Sequence, residues 1–289
     1  MTQTQRSILK QKLAGKEIVV APGIFDMISV RLADRMGFDS LYMTGYGTVA
    51  SYLGEADAGL ATYTDMVNRV SAFCGASKTP IICDGDTGYG GLLNVAHTVR
   101  GYEKAGAAGI QLEDQEFPKK CGHTPGRRVI AAEEMVKKIK VAKEARVDPD
   151  LLIVARTDAR TSLGLDEALR RGEMYVKAGA DVIFIESPET EKELEIIGKT
   201  FEVPLLVNVV EGGRTPQLTP AELQALGFSL AIYPASGFLA VAQALEKVYG
   251  EIKARKGTTG HMGELYSFAG MCTLMDFEAV WDFDKKHAD

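Results

Sequence analysis

Two stretches of the chain carry residue types and spacings that can do chemistry. Lys119-Lys120-Cys121-Gly122-His123-Thr124-Pro125-Gly126-Arg127-Arg128 sets a thiol between two lysines and a histidine. Neighbouring positive charge favours the thiolate, which makes such a cysteine a nucleophile or a proton donor. The glycines and proline beside it supply the dihedral freedom of a closing loop. The second stretch, Asp84-Gly85-Asp86, places two carboxylates on same-side positions of an extended chain, with a glycine that lets a ligand come close. With Glu113 from the following apolar run, these are hard oxygen donors of the kind that hold Mg2+ or Mn2+. No histidine or cysteine joins them, which argues against zinc. Asp-Gly-Asp is common in turns, and its place at the end of an apolar run beside Glu113 is what singles it out. Arg156 ends another apolar run, where an unpartnered guanidinium would be costly. It can pair with Glu186 structurally, or hold a substrate carboxylate bidentately.

The elements that must position these residues follow from the apolar pattern. Strand-like runs at residues 17–26, from 40, and at 79–90, 109–115, 151–160, 181–188, 204–213 and 229–236 alternate with helical stretches at 27–36, 63–73, 94–105, 132–144, 166–177, 191–200, 220–226 and 237–254. Such alternation predicts right-handed βαβ units and a parallel sheet. Eight units predict an α/β protein of the (β/α)8 TIM barrel class. An open doubly wound sheet ranks second, because no Gly-x-Gly-x-x-Gly follows the first run. No linker interrupts the pattern, so residues 1–289 read as a single barrel domain with a C-terminal helical extension from about 257. That tail is apolar enough to need a partner surface. Polar residues gather at the ends of successive runs: Asp26, Thr44-Gly45-Tyr46, Asp84 and Asp86, Glu113, Arg156 and Asp158, Glu186, Asn208 and Glu211. In a barrel these ends share one rim, where active sites are built.

Composition excludes several classes. The net charge is −6, with no basic tail, so no nucleic-acid partner is expected. No apolar run approaches a membrane span, and the opening residues lack a signal-peptide core. Cys74, Cys83, Cys121 and Cys272 are scattered without zinc-like or paired spacing, as befits reduced thiols. A soluble, cytoplasmic protein without membrane partners is expected.

Lys119-Lys120-Cys121-Gly122-His123, the stretch 84–90, the run 109–115 and Val154-Ala155-Arg156-Thr157-Asp158-Ala159 together resemble the isocitrate lyase/phosphoenolpyruvate mutase superfamily, from about residue 20 to 233. The resemblance implies a (β/α)8 barrel whose last helix is swapped between subunits, a homotetramer, Mg2+ at the strand ends and a mobile loop carrying a catalytic cysteine. By position, Asp84 and Asp86 match the metal aspartates, and Asp57 and Glu113 match acidic residues holding the metal's waters. Thr44-Gly45-Tyr46 matches a segment that binds a substrate carboxylate. Gly122, His123, Arg156, Glu186 and Asn208 match substrate-contacting positions. Cys121 matches the general acid of the carbon–carbon lyase branch, with Glu113 and Arg156 as its catalytic companions.

Asn208-Val209-Val210-Glu211-Gly212-Gly213 departs from the methylisocitrate lyase pattern. It is more similar to the group containing 2,3-dimethylmalate lyase, petal death protein and oxaloacetate hydrolase. The hydrolases resemble one another in a serine after the eighth strand, a place that falls on Pro234 or, with a two-residue slip, on Ser236. With proline there, the resemblance implies retro-aldol cleavage of a small, branched 2-hydroxydicarboxylate, 2,3-dimethylmalate first. Methylisocitrate cleavage and oxaloacetate hydrolysis are the alternatives. Glu113 and Tyr42 are both candidates for the base that takes the hydroxyl proton. The two lysines and His123 are expected to tune the thiol.

Overall fold

The computed structural model describes residues 3–122, 124, 126–259 and 265–288, which form two compact units, 1–237 and 238–289. The first opens with helix α1 (Gln5–Leu13), whose Thr4 cap accepts from the Ser7 amide. Eight strands follow: β1 (Val19–Ile24), β2 (Leu41–Met43), β3 (Ile81–Asp84), β4 (Gly109–Glu113), β5 (Leu152–Thr157), β6 (Val182–Ile185), β7 (Leu205–Asn208) and β8 (Leu230–Tyr233). Each pairs in parallel with its sequence neighbour, and β1 pairs with β8, so the barrel is closed in strict order. The predicted (β/α)8 class is the observed one.

The helices between the strands are α2 (Met27–Met36), α3 (Gly45–Leu53), α4 (Tyr63–Ala76), α5 (Leu92–Ala105), α6 (Ala132–Ala145), α7 (Ala159–Leu163), α8 (Leu165–Ala178), α9 (Glu191–Thr200) and α10 (Pro220–Ala225). Two of these escape the apolar pattern. The run from residue 40 reads as one strand, but the Thr44 side chain caps a helix immediately after Met43, which gives α3. Helix α7 is a short turn that follows β5 directly. Asp26, grouped by sequence with the rim residues, forms a capping box with Ser29 at the start of α2.

The strands bury both faces, as a parallel barrel must. Their outward residues, among them Met43, Cys83, Ile110, Leu112, Ile153 and Val207, pack under the helices. A second cluster fills the barrel interior: Ala21, Tyr42, Ile82, Val154, Phe184, Leu206 and Ile232, with Leu9 and Leu13 of α1 packed among them.

The second unit holds most of α11 (Ser236–Arg255), then α12 (Phe268–Leu274) and α13 (Phe277–His287). Helices α12 and α13 pack on each other. Leu239, Leu245, Tyr249, Phe277, Trp281 and Phe283 remain exposed.

Candidate active site

Strand alternation builds the floor of the site. Two residues beyond the interior positions Ile82, Val154, Phe184 and Leu206 stand Asp84, Arg156, Glu186 and Asn208, and Glu113 follows the buried Gln111 by the same step. The uppermost inward layer is therefore polar, and all five residues are buried. Register sets neighbours: Asp84 pairs with Gln111 across β3 and β4, and Glu113 with Arg156 across β4 and β5.

Arg156 is the hub. Its Nε and Nη2 donate to the two oxygens of Asp158, both at 2.9 Å. Its Nη1 lies 3.4 Å from Glu113 Oε2, and Nη2 lies 3.4 Å from Glu186 Oε2. The sequence offered Glu186 or a substrate carboxylate as its partner. Asp158 holds the bidentate edge instead, and Glu186 is a longer-range neighbour. Asn208 Nδ2 donates to Glu186 Oε2 at 3.2 Å.

Asp84 and Asp86 come together by a route other than the expected extended pleat. Asp86 has a left-handed φ of 47°, and its amide donates to Asp84 Oδ1 at 3.0 Å, so a turn aims the second carboxylate. Gly85 serves the barrel rather than a ligand: a Cβ there would stand 2.8 Å from the Gln111 carbonyl oxygen. Gly45 does admit close approach, since its Cβ would stand 2.5 Å from Asp84 Oδ2. Lys119 completes the cluster. Its ammonium pairs with Asp57 and lies 2.7 Å from Asp86 Oδ1. The expected thiol-tuning lysine is thus engaged with carboxylates, and Asp57 holds an ammonium.

The charge balance of this cluster is incomplete. Burial pushes the Asp84, Asp86 and Glu113 carboxyls up, Asp86 to about 7, with Lys119 opposing the rise at the two aspartates and Arg156 at Glu113. Glu113 Oε1 is buried with no hydrogen-bond partner among the described residues. Among those residues no three Asp, Glu, His or Cys side chains form a ready-made metal cage. Two aspartates with a third carboxylate nearby are nonetheless the donor set Mg2+ takes, the remainder being water and substrate oxygens. Residues and ion fit.

The segment between β4 and α6 closes over this floor. Asp57 grips its start twice, through Lys119 and through its carbonyl, which accepts from the Cys121 amide at 3.1 Å. Gln115 exchanges two hydrogen bonds with the Lys120 backbone, at 2.8 and 3.0 Å. Gly122 sits directly on the site, because a Cβ there would stand 2.5 Å from Arg156 Nη2 and 2.8 Å from Glu186 Oε2. Its carbonyl accepts from the buried Ser187 hydroxyl at 3.0 Å. At the far end, Arg127 Nη1 donates to Asp158 Oδ1 at 2.5 Å. Lys120 Nζ donates to the Gly126 carbonyl at 3.3 Å, and His123 lies outside the described residues.

Other predicted residues separate by role. Thr44 is buried at the α3 cap, while Tyr46 is exposed on the first turn of that helix. Ser236 donates its hydroxyl to Glu211, and the Pro234 backbone packs on Gly23, where a Cβ would stand 2.4 Å from the Pro234 oxygen. Tyr42 donates to Gln111 Oε1 at 2.9 Å, and burial pushes its phenol well above the usual range, so the phenolate a base requires is scarce. Sequence reasoning missed Gln111, Ser187, and the roles of Lys119, Arg127 and Asp158. It also missed Asp114, whose Oδ2 accepts from Thr157, Tyr175 and Arg171 at 2.6, 2.7 and 2.9 Å. Asp114 and Asp158 stood in quoted motifs, and a buried acid beside Arg156 was the available signal.

Residues 9–253 match the phosphoenolpyruvate phosphomutase family. Over 280 residues the chain is 49% identical to 2,3-dimethylmalate lyase of Eubacterium barkeri, covering 97% of each chain. It is 39% identical to 2-methylisocitrate lyase of Aeropyrum pernix, covering 98% of this chain and 90% of that one. Among solved structures, a 2,3-dimethylmalate lyase superposes with a TM-score of 0.93 at 33% identity, covering 100% of this chain and 97% of the other. Oxaloacetate acetylhydrolase bound to 3,3-difluorooxalacetate does so with 0.93 at 32% identity, covering 98% and 97%. The polar layer above the barrel interior, the Cys121 segment lying on it and these likenesses along nearly the whole length lead to one conclusion: the chain belongs to the phosphoenolpyruvate mutase/isocitrate lyase superfamily.

Proposed function

We propose that this enzyme is a Mg2+-dependent carbon–carbon lyase that splits a small branched 2-hydroxydicarboxylate, 2,3-dimethylmalate, into pyruvate and propionate. The observation that carries the reading is the Cys121–Gly122 backbone lying on Arg156 and Glu186, which brings an acid-bearing loop to a polar, buried floor. The likeness to a dimethylmalate lyase over nearly the full length supports 2,3-dimethylmalate as the substrate.

Asp84 and Asp86 would hold Mg2+, with Asp57 and Glu113 toward its waters, and the ion when bound would supply Lewis-acid stabilisation of charge on substrate oxygens. The chain's own residues do the rest. Arg156, fixed by Asp158, and the Thr44-Gly45-Tyr46 segment hold the carboxylates. Glu113, ionised when the ion and substrate occupy the site and with its Oε1 free of hydrogen bonds among the described residues, takes the hydroxyl proton, the C2–C3 bond breaks, and C2 leaves as the keto carbon of pyruvate. The electron pair stays on C3, as the enediolate of the second carboxylate, with Arg156 and Asn208 as donors to its charge. Cys121 gives C3 a proton, which completes propionate. Closure of the loop excludes water, so proton transfer rather than hydrolysis ends the reaction.

The exposed apolar residues of α11 and α13 support the further reading that the enzyme is a homotetramer. No described helix is long and apolar enough to cross a membrane, and the unbridged thiols of Cys74, Cys83 and Cys272 suit a cytoplasmic setting. A lactate-dehydrogenase-coupled pyruvate assay with Mg2+, run on 2,3-dimethylmalate and 2-methylisocitrate, tests the reading. Pyruvate from dimethylmalate well above methylisocitrate supports it, and the reverse order moves the substrate to methylisocitrate. Oxalate released from oxaloacetate, with no pyruvate from either acid, would overturn the lyase reading in favour of a hydrolase.

A further inference from the structure

Ser187 follows Glu186 at the end of β6 and is fully buried. It holds a left-handed φ of 59°, a backbone state that costs a non-glycine residue free energy and persists only where its surroundings impose it. What its position gains is a hydroxyl 3.0 Å from the Gly122 carbonyl and 3.0 Å from Glu186 Oε1. A serine hydroxyl has one hydrogen, and a carbonyl oxygen and a carboxylate oxygen both accept. The hydrogen can serve the loop or the carboxylate, one at a time.

We propose that Ser187 is a positioning residue that latches the Cys121 loop and couples its closure to occupancy of the site. Resting on the lyase reading for the identity of the occupant, the coupling runs through Glu186. A substrate hydroxyl or water donating to Glu186 Oε1 takes over the role of hydrogen-bond donor to that oxygen. The Ser187 hydrogen then turns to the Gly122 carbonyl and holds the loop down on Arg156. Gly122 can lie there because it has no side chain to meet Arg156 Nη2. Loop closure and substrate contact thus share one hydrogen.

The test is amide hydrogen exchange of the peptide spanning residues 117–128 in the full-length protein holding Mg2+ and malate, a 2-hydroxydicarboxylate probe that keeps the hydroxyl donor, compared with Ser187→Ala and Ser187→Gly. Alanine removes the hydroxyl and keeps the left-handed strain, whereas glycine removes both. Loss of one latching hydrogen bond speeds exchange of the Cys121 and Thr124 amides on the order of fivefold in both variants. Unchanged exchange in Ser187→Ala overturns the latch. Faster exchange in alanine alone also overturns it, since strain rather than the hydroxyl would then govern the loop. In steady-state assays, kcat for pyruvate release is expected to fall more than KM rises. If the wild-type protein releases no pyruvate while exchange still depends on the Ser187 hydroxyl, the lyase reading fails and the latch stands.

Discussion

Asp86 shows how burial and chemistry pull against each other at a single residue. Its carboxyl is pushed up to about 7, chiefly by burial, with Lys119 opposing the rise. The folded state therefore binds that proton more tightly than the unfolded chain does. Stability falls as pH rises from about 4 to about 7, and the loss is complete above that range. A divalent cation that binds the ionised pair reverses the loss, so Mg2+ is expected to raise the melting temperature by several degrees at pH 8 and much less at pH 5.5. An equal rise at both pH values would place the ion away from Asp84 and Asp86. Cys121 is tested by a different readout. Replacing a general acid costs about 10²–10⁴-fold in turnover, so Cys121→Ser is expected to lose kcat by that order and keep KM within about threefold. Near-normal turnover would remove the thiol from the proton transfer.

At the scale of elements, Asp158 joins two parts of the chain. It sits between β5 and α7, accepts from Arg156 in the site and accepts from Arg127 at the downstream end of the Cys121 segment. Its own amide donates to Asp114, which is held in turn by Arg171 and Tyr175 of α8. One buried carboxylate thus serves two buried guanidiniums, and these pull its carboxyl below the usual range despite burial. Asp158→Ala removes the nearest counter-charge of both cations, leaving Arg156 its 3.4 Å neighbours Glu113 and Glu186 and Arg127 the neutral Thr161, at a cost of about 3–5 kcal/mol. Urea unfolding of the purified variant measures this. A cost below about 1 kcal/mol would mean that the guanidiniums find other partners, and that Asp158 fixes neither Arg156 nor the loop.

For the whole molecule, the barrel unit is closed and well covered by its helices, whereas the 238–289 unit leaves large apolar side chains in solvent. Surface of that kind suits the interface that the proposed tetramer requires. Light scattering after gel filtration is expected to give about four times the 31.2 kDa chain mass, and removal of residues 256–289 to lower the assembly state. A monodisperse full-length monomer would refute the tetramer. The barrel belongs to the chain's local pattern, since alternating apolar runs and helical stretches leave few other ways to cover both faces of a parallel sheet.

The sequence by itself determined the barrel, the polar strand ends, the stretch containing the thiol and the apolar tail. All of these follow from periodicity and residue type along the chain. Tertiary structure alone decided which charges meet. Lys119 joins Asp57 and Asp86, Arg156 takes Asp158 as its bidentate partner, and Ser187 reaches Gly122 across 65 residues of chain. It also decided that a turn at Asp86, and not the pleat of a strand, aims the second carboxylate. Burial and long-range partners set these choices, and neither leaves a mark in local spacing. A buried charge accepts whichever counter-charge the folded barrel brings within reach.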